Sequence, residues 1–114
     1  MDRFVMREVP TGYKFDLKAA NGQTIATSEV YKTAAACRKG IESVRKNAPK
    51  AAVEDRTADS FKSVSNPKFE LYQDKTGAFR FRLTSRNGQI IATGEPYSTK
   101  AACENGIESI RKNV

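Results

Sequence analysis

Residues 13–18 and 79–83 alternate strictly between apolar and charged side chains. Because successive side chains of a strand point to opposite faces of a sheet, this period of two predicts strands with one buried face. A further strand-like segment precedes each of them, at 4–8 and at 69–73. The pattern therefore predicts two groups of strands, one in each half of the chain.

An Asn-Gly pair follows each alternating stretch, at 21–22 and at 87–88. Asn-Gly between two strand-like segments is a strong hairpin signal, since a type I′ turn needs positive φ at both central residues. The sequence therefore predicts a hairpin with a type I′ turn in each half. Glycines at 12 and 77 mark the preceding turns.

After each hairpin the apolar period changes to that of a helix. Cys37, Ile41 and Val44 are spaced i, i+4, i+7, and Cys103, Ile107 and Ile110 repeat the spacing. This spacing places them on one face of an amphipathic helix. Thr33 and Ser98 are the predicted N-caps. Gly40 and Gly106 lie inside the helices, where glycine costs about 1 kcal/mol relative to alanine. Their presence predicts a close backbone approach, to the sheet or to the other helix; ligand contact is the alternative.

The two halves are copies of one unit. Residues 13–47 and 79–113 align without a gap, and 21 of the 35 positions are identical. We assign repeat 1 to 1–55, including a short fourth strand at 51–55, a polar linker to 56–67, and repeat 2 to 68–114, all within one compact domain. The second copy has no counterpart of the fourth strand, which predicts an open sheet edge, and either a monomer or a homodimer formed through that edge.

The repeated motif resembles the YegP-like family of small bacterial proteins, which carry one or two copies of a domain of unknown function. It consists of Asn-Gly, Ile-Ala, Glu and Tyr within 21–31 and 87–97, followed by Gly-Ile and a basic end within 40–48 and 106–113. The resemblance implies β-β-β-α-β repeats that form one sheet and exchange their C-terminal strands. It brings no activity, cofactor or catalytic residue.

The predicted fold class is accordingly α+β. Two tandem β-β-β-α(-β) repeats are expected to form a shared antiparallel sheet, with both helices on one face. In repeat 2 the final strand is missing.

Composition argues against several kinds of function. The chain has no histidine and no apolar run near the roughly 20 residues of a membrane span, and its start lacks a signal-peptide core. We therefore expect a cytoplasmic protein without membrane contact. The two cysteines, Cys37 and Cys103, are expected to be buried thiols, with a disulfide or redox pair as the alternative. No cysteine spacing fits a zinc site. Without a triad or a phosphate-binding loop, we predict no enzyme activity, no cofactor and no metal.

The net charge of +7 favours an anionic partner, such as nucleic acid or an acidic protein. Five residues are predicted to share the sheet face away from the helices: Lys14, Lys18, Tyr72, Arg80 and Arg82. Basic side chains beside an aromatic ring could hold single-stranded nucleic acid. The alternative is a solvated face that only keeps the protein soluble.

Four polar or amphipathic residues recur just before the helices: Glu29, Tyr31, Glu95 and Tyr97. They could form two symmetric recognition sites. In the structural interpretation, the tyrosines close the edge of the core and the glutamates accept hydrogen bonds from the helix starts. The predicted function is that of a small non-enzymatic protein with an interaction or accessory role, with an electrostatic binder of an anionic partner as the alternative.

Overall fold

Seven strands form one sheet, and two helices pack against it, in a computed structural model that describes residues 3–114 apart from the side chain of Asn113. The first two residues of the predicted repeat 1 lie outside the described residues. The elements are β1 (Arg3–Val9), β2 (Gly12–Lys18), β3 (Thr24–Thr27), α1 (Ala34–Asn47), a 3-10 turn (Ala48–Lys50), β4 (Ala52–Asp55), β5 (Lys68–Gln73), β6 (Phe79–Thr84), β7 (Ile90–Gly94) and α2 (Lys100–Asn113). The strand order is β1-β2-β3-β7-β6-β5-β4.

The alternating stretches form β2 and β6, as predicted, and bury one face of the sheet. Phe15 and Leu17 on β2 and Phe81 and Leu83 on β6 are fully buried. Both helices pack on this face, where Cys37 and the apolar residues of α1 and α2 join a single core cluster. The predicted α+β class is confirmed.

The two repeats meet at the middle of the sheet, where β3 and β7 pair antiparallel. Thr27 lies opposite Thr93, its equivalent in the other repeat. A pair formed by equivalent residues marks the point about which the two halves are related by a pseudo-twofold axis. The predicted shared sheet is therefore continuous across both repeats.

The sheet is not wholly antiparallel, and this part of the prediction is wrong. β4 follows α1 in the chain but lies beside β5, to which it is parallel, with Val53 opposite Phe69. A hairpin imposes antiparallel pairing, whereas a long connection does not. Because residues 56–67 connect β4 to β5, the parallel arrangement is accessible.

The hairpins at 21–22 and 87–88 form, but their turns are not type I′. Among the described residues only glycines have positive φ, with Gly22 and Gly88 both at 87°. The N–H of Gly22 donates to the Ala19 carbonyl at 2.9 Å, and β2 has a register shift at Leu17/Lys18. This is the three-residue loop in which a type I turn ends in a left-handed glycine. In each of these turns the glycine is the residue with positive φ, and the preceding asparagine has a negative φ.

Threonine side chains cap both helices. Thr33 Oγ1 accepts from the Ala36 N–H at 3.0 Å, as predicted. In the second repeat Thr99, and not Ser98, accepts from the Ala102 N–H at 3.1 Å. Thr99 is the equivalent of Thr33, so the two repeats stay in register through the cap.

Residues 56–67 cover part of the outer sheet face beside β4. The N–H of Val64 donates to the buried carboxylate of Glu54 at 2.9 Å, and the ring of Phe61 lies 5.3 Å from the guanidinium of Arg56. The predicted linker is therefore also a packing element. Within residues 3–114, no strand pairs with the outer edge of β1.

Candidate functional site

The predicted binding residues lie on the outer face of the sheet, opposite the helices. The pairing register places Arg82 opposite Thr93 and Asp16 opposite Thr27 on this face. Lys14 and Arg80 are equivalent residues on β2 and β6, and Lys18 has the parity of Lys14. All five predicted residues, including Tyr72 opposite Arg80, therefore lie on the outer face.

Arg82 and Tyr72 interact mainly with each other and with a carboxylate. The Arg82 guanidinium lies 4.5 Å from the centre of the Tyr72 ring, a cation–π distance. Its Nε also donates to Glu70 at 3.0 Å. Because the arginine covers one face of the ring and pairs with Glu70, its guanidinium is already engaged and the aromatic surface is partly covered.

Lys14, Lys18 and Arg80 are in a different electrostatic position. Arg80 donates from Nε and Nη2 to the neutral carbonyl of Gly94, at 3.2 and 3.1 Å. None of the three belongs to an ion pair among the described residues. The nearby carboxylate of Asp16 is bound by Arg7 at 2.8 Å. These three cations form what we call the open cationic face.

Arg80 interacts only at longer range with Asp74, in the turn before β6. The pKa of Asp74 is lowered chiefly by hydrogen bonds from Thr76, and the charge of Arg80 is the smallest contributor. The two side chains do not form an ion pair among the described residues. The charge of the Arg80 guanidinium is therefore available to bind an external anion.

A buried ionic cluster occupies the β4–β5 end of the same face. The Glu54 side chain is fully buried and accepts from Lys68 at 2.8 Å and from Arg56 at 2.5 Å. Glu70 accepts from Arg56 at 3.0 Å and lies 3.5 Å from Lys68. Burial alone would raise the pKa of Glu54, but the hydrogen bonds from Lys68, the Val64 N–H and Arg56 outweigh it and lower the pKa to about 2.

Sequence reasoning missed this cluster. Lys68 and Glu70 alternate with apolar residues along β5, a pattern typical of a solvated strand face, and only residues 56–67 folding over this end of the sheet bury Glu54. The two carboxylates of the cluster pair with three cations, Arg56, Lys68 and Arg82. Because every charge in it has a partner inside the fold, we assign the cluster a structural role.

Tyr31 and Tyr97 pack against the helix glycines. A Cβ added to Gly40 would lie 2.6 Å from Cζ of Tyr31, and one added to Gly106 would lie 2.5 Å from the Tyr97 hydroxyl. The Tyr31 ring also stacks on Phe15, with centroids 6.4 Å apart. The predicted close approach at these glycines is confirmed, but the neighbour is a tyrosine ring of the same repeat and not the sheet backbone or the other helix.

The backbone at these tyrosines is bound to the sheet. Tyr31 and Tyr13 exchange two backbone hydrogen bonds of 2.7 Å. Burial raises the pKa of the Tyr31 hydroxyl, and the same cause raises the pKa of Tyr97. Each tyrosine is therefore bound to a strand through its backbone and packed against a helix through its ring.

The glutamates of the same motif do not bind the helix starts. Glu29 is exposed, and the first-turn N–H of Ala36 donates to Thr33 instead. Glu95 is half-buried, and its backbone N–H donates to the Ile25 carbonyl at 3.0 Å, which links the two repeats. The tyrosines thus pack at the edge of the core, as the structural interpretation predicts. The glutamate side chains do not cap the helices, which is contrary to that interpretation.

Comparison with known proteins places this architecture in a family. A family model described as a domain of unknown function, DUF1508, matches residues 11–55 and 74–114, one segment in each repeat. The chain belongs to the DUF1508 family.

Relatives of this DUF1508 protein carry no assigned activity in their names. A UPF0339 protein of Photorhabdus laumondii is 39% identical over 101 residues, which cover 89% of this chain and 75% of the relative. A UPF0339 protein of Treponema denticola is 61% identical over 47 residues, 41% of this chain but 81% of that protein. The solution NMR structure of YegP from Escherichia coli, a protein of unknown function, has a TM-score of 0.78 and 33% identity over 98% of this chain and 84% of that one. These matches confirm the resemblance to the YegP-like family.

The DUF1508 chain holds its cysteines inside the core. Cys37 and Cys103 are fully buried and are not bonded to each other, and burial raises the pKa of both, to about 11 for Cys103. A thiol in this environment is a weak nucleophile because the thiolate is disfavoured. In the part of the chain that the structure describes, no three potential ligands come together to hold a metal ion. Neither described helix has the length and apolar character needed to cross a bilayer.

Proposed function

We propose that this DUF1508 protein is a non-enzymatic interaction protein that binds an anionic partner on the open cationic face formed by Lys14, Lys18 and Arg80. The observation that carries the proposal is the absence of carboxylate partners at these three residues among the described ion pairs, while the neighbouring Arg82 is paired with Glu70. Unpaired charges on one rigid sheet face attract anions through a summed potential.

Single-stranded nucleic acid is the partner class that we propose to test first. Lys14 and Arg80 are related by the pseudo-twofold axis and lie on opposite sides of the Thr27–Thr93 pair. Because β3 and β7 lie between β2 and β6, the two strands are about 14 Å apart, and the two equivalent cations can contact separate, non-adjacent phosphates of one strand. Because Arg82 covers one face of the Tyr72 ring, we expect phosphate contacts to dominate and base stacking to contribute little.

The buried thiols and the lack of a metal cluster in the described chain support a role without catalysis. The raised pKa values of Cys37 and Cys103 disfavour a nucleophile. The exposed Glu29 has no hydrogen-bonded base or acid partner among the described residues that would make it a catalytic group.

The test is fluorescence anisotropy of short single-stranded DNA and RNA at several salt concentrations. For the double variant Lys14→Ala/Arg80→Ala, we expect weaker binding and a slope of log K against log salt that falls by about 1.4, the value for two lost phosphate contacts. The matched control is Arg38→Ala/Lys112→Ala, which removes the same charge from exposed helix positions.

Two results would refute the proposal. One is the absence of binding even at low salt. The other is an equal loss of affinity in the control variant, which would mean that net charge alone, and not this face, drives association.

A further inference from the structure

Two grooves of similar size lie on the helix side of the sheet, and the duplication relates them. The first, which we call the α1 groove, lies between α1 and the 85–91 hairpin, and its volume is about 810 Å³. The second, the α2 groove, lies between the start of α2 and the 19–25 hairpin, and its volume is about 700 Å³. Each groove is thus built from the helix of one repeat and the hairpin of the other.

The floors of the grooves are alike. Tyr31 and Ile91 line the α1 groove, and their equivalents Tyr97 and Ile25 line the α2 groove. Ile91 and Ile25 are 6% and 5% exposed, and both tyrosines are half-buried. Each groove therefore offers an apolar and aromatic floor.

The rims differ strongly in charge. Four exposed cations surround the α1 groove: Lys39, Lys46, Lys50 and Arg86. At the equivalents of Arg86 and Lys39, the chain has Ala20 and Asn105. Within the described part of the chain, no cation lines the α2 groove. Two of the four cations, Lys39 and Arg86, are therefore replaced by neutral residues in the other repeat, whereas the equivalent of Lys46 is also a lysine, Lys112, which does not line the α2 groove.

The cations of the α1 groove are not neutralised by the protein. None of the four belongs to an ion pair among the described residues. The one carboxylate in the described lining, that of Glu42, is already paired with Arg45 at 3.2 Å. Four like charges around one concave surface repel each other and concentrate anions there.

We infer that the α1 groove binds a small phosphorylated molecule that has an apolar or planar body. Its volume lies within the range of small-molecule sites. A phosphate group matches the fork of Arg86 and the point charges of the lysines. The planar body would lie on the floor formed by Tyr31 and Ile91. This site is separate from the open cationic face and does not depend on the function proposed for that face.

Amide chemical shifts from two-dimensional ¹H–¹⁵N spectra test the inference, with adenosine monophosphate and inorganic pyrophosphate as probes. We expect saturable shifts at residues 85–91 and along α1, and none at residues 19–25. Tighter binding of adenosine monophosphate than of pyrophosphate would show that the floor contributes to affinity.

The variant Lys39→Asn/Arg86→Ala gives each position the residue that the other repeat already carries there. The fold accepts both residues, so loss of binding in this variant reports on the site. We expect its affinity to fall by at least about tenfold, as for the loss of one charge-assisted contact. The variant Lys14→Ala/Arg80→Ala should bind the nucleotide unchanged.

Four outcomes would overturn the inference. Three of them are no saturable shifts at about 1 mM probe, equal shifts in both grooves, and shifts that remain in the Lys39→Asn/Arg86→Ala variant. Loss of nucleotide binding in the Lys14→Ala/Arg80→Ala variant would assign binding to the sheet face and would also overturn it.

Discussion

Replacing Gly40 by alanine should destabilise this protein, although the same change stabilises most exposed helix positions. In a helix interior, alanine is favoured over glycine by about 1 kcal/mol. Here the new Cβ would lie 2.6 Å from Cζ and 3.1 Å from Cε2 of Tyr31. These distances are too short for contact between carbon atoms, so the ring or the helix must move.

The ring has little freedom to move away. Tyr31 stacks on Phe15, and its backbone is bound to Tyr13 by two hydrogen bonds of 2.7 Å. Overpacking in such a site costs about 1–3 kcal/mol. Set against the gain of about 1 kcal/mol in helix propensity, the net effect should lie between zero and about 2 kcal/mol of destabilisation.

Urea unfolding followed by circular dichroism measures this difference. Comparison of Arg38→Gly with Arg38→Ala, at an exposed position of the same helix, calibrates the propensity gain. In a Tyr31→Leu background, the far end of the ring is gone, so Gly40→Ala should become stabilising by about 1 kcal/mol.

The reasoning would be refuted if Gly40→Ala stabilised the wild-type chain as much as alanine does at position 38. It would also be refuted if Gly40→Ala had the same effect in the wild-type chain and in the Tyr31→Leu background, since the two sites would then not be coupled.

Three further predictions concern the core and the buried charges. Glu54→Gln should cost about 3 kcal/mol, because it breaks the ion pairs that the buried Glu54 carboxylate makes with Lys68 and Arg56. Since the pKa of Glu54 falls from 4.5 to about 2 on folding, this difference in unfolding free energy should be full above about pH 4.5 and vanish towards pH 2. Phe69→Ala should lower the free energy of unfolding in urea by about 3–5 kcal/mol. Phe4→Ala, at the equivalent position of repeat 1, should lower it clearly less, because Phe4 is only partly buried. Equal losses in the two variants would contradict this prediction. Cys37 and Cys103 should react with a thiol reagent only after unfolding, and fast labelling of the native protein would disprove their inaccessibility.

The local elements were predictable because their causes lie within a few residues. Strict alternation identified β2 and β6, and the change to a period of three to four identified α1 and α2. The comparison of the two repeats could also have identified Thr99 as the N-cap, since it is the equivalent of Thr33. The type of turn was not predictable in the same way, because Gly22 alone takes the positive φ and a bulge in β2 absorbs the extra residue.

Which charges remain free depends on contacts between distant segments, and only the tertiary structure decided this. The alternation placed Lys14, Arg80 and Arg82 on one face, but it could not show that Arg82 pairs with Glu70 on β5 while Arg80 binds a neutral carbonyl. Nor could it show that residues 56–67 bury Glu54. The α1 groove likewise depends on the pairing of β3 with β7, which brings the hairpin of repeat 2 to the helix of repeat 1. Periodicity determines which face a side chain occupies, whereas its neighbours depend on how the two repeats join.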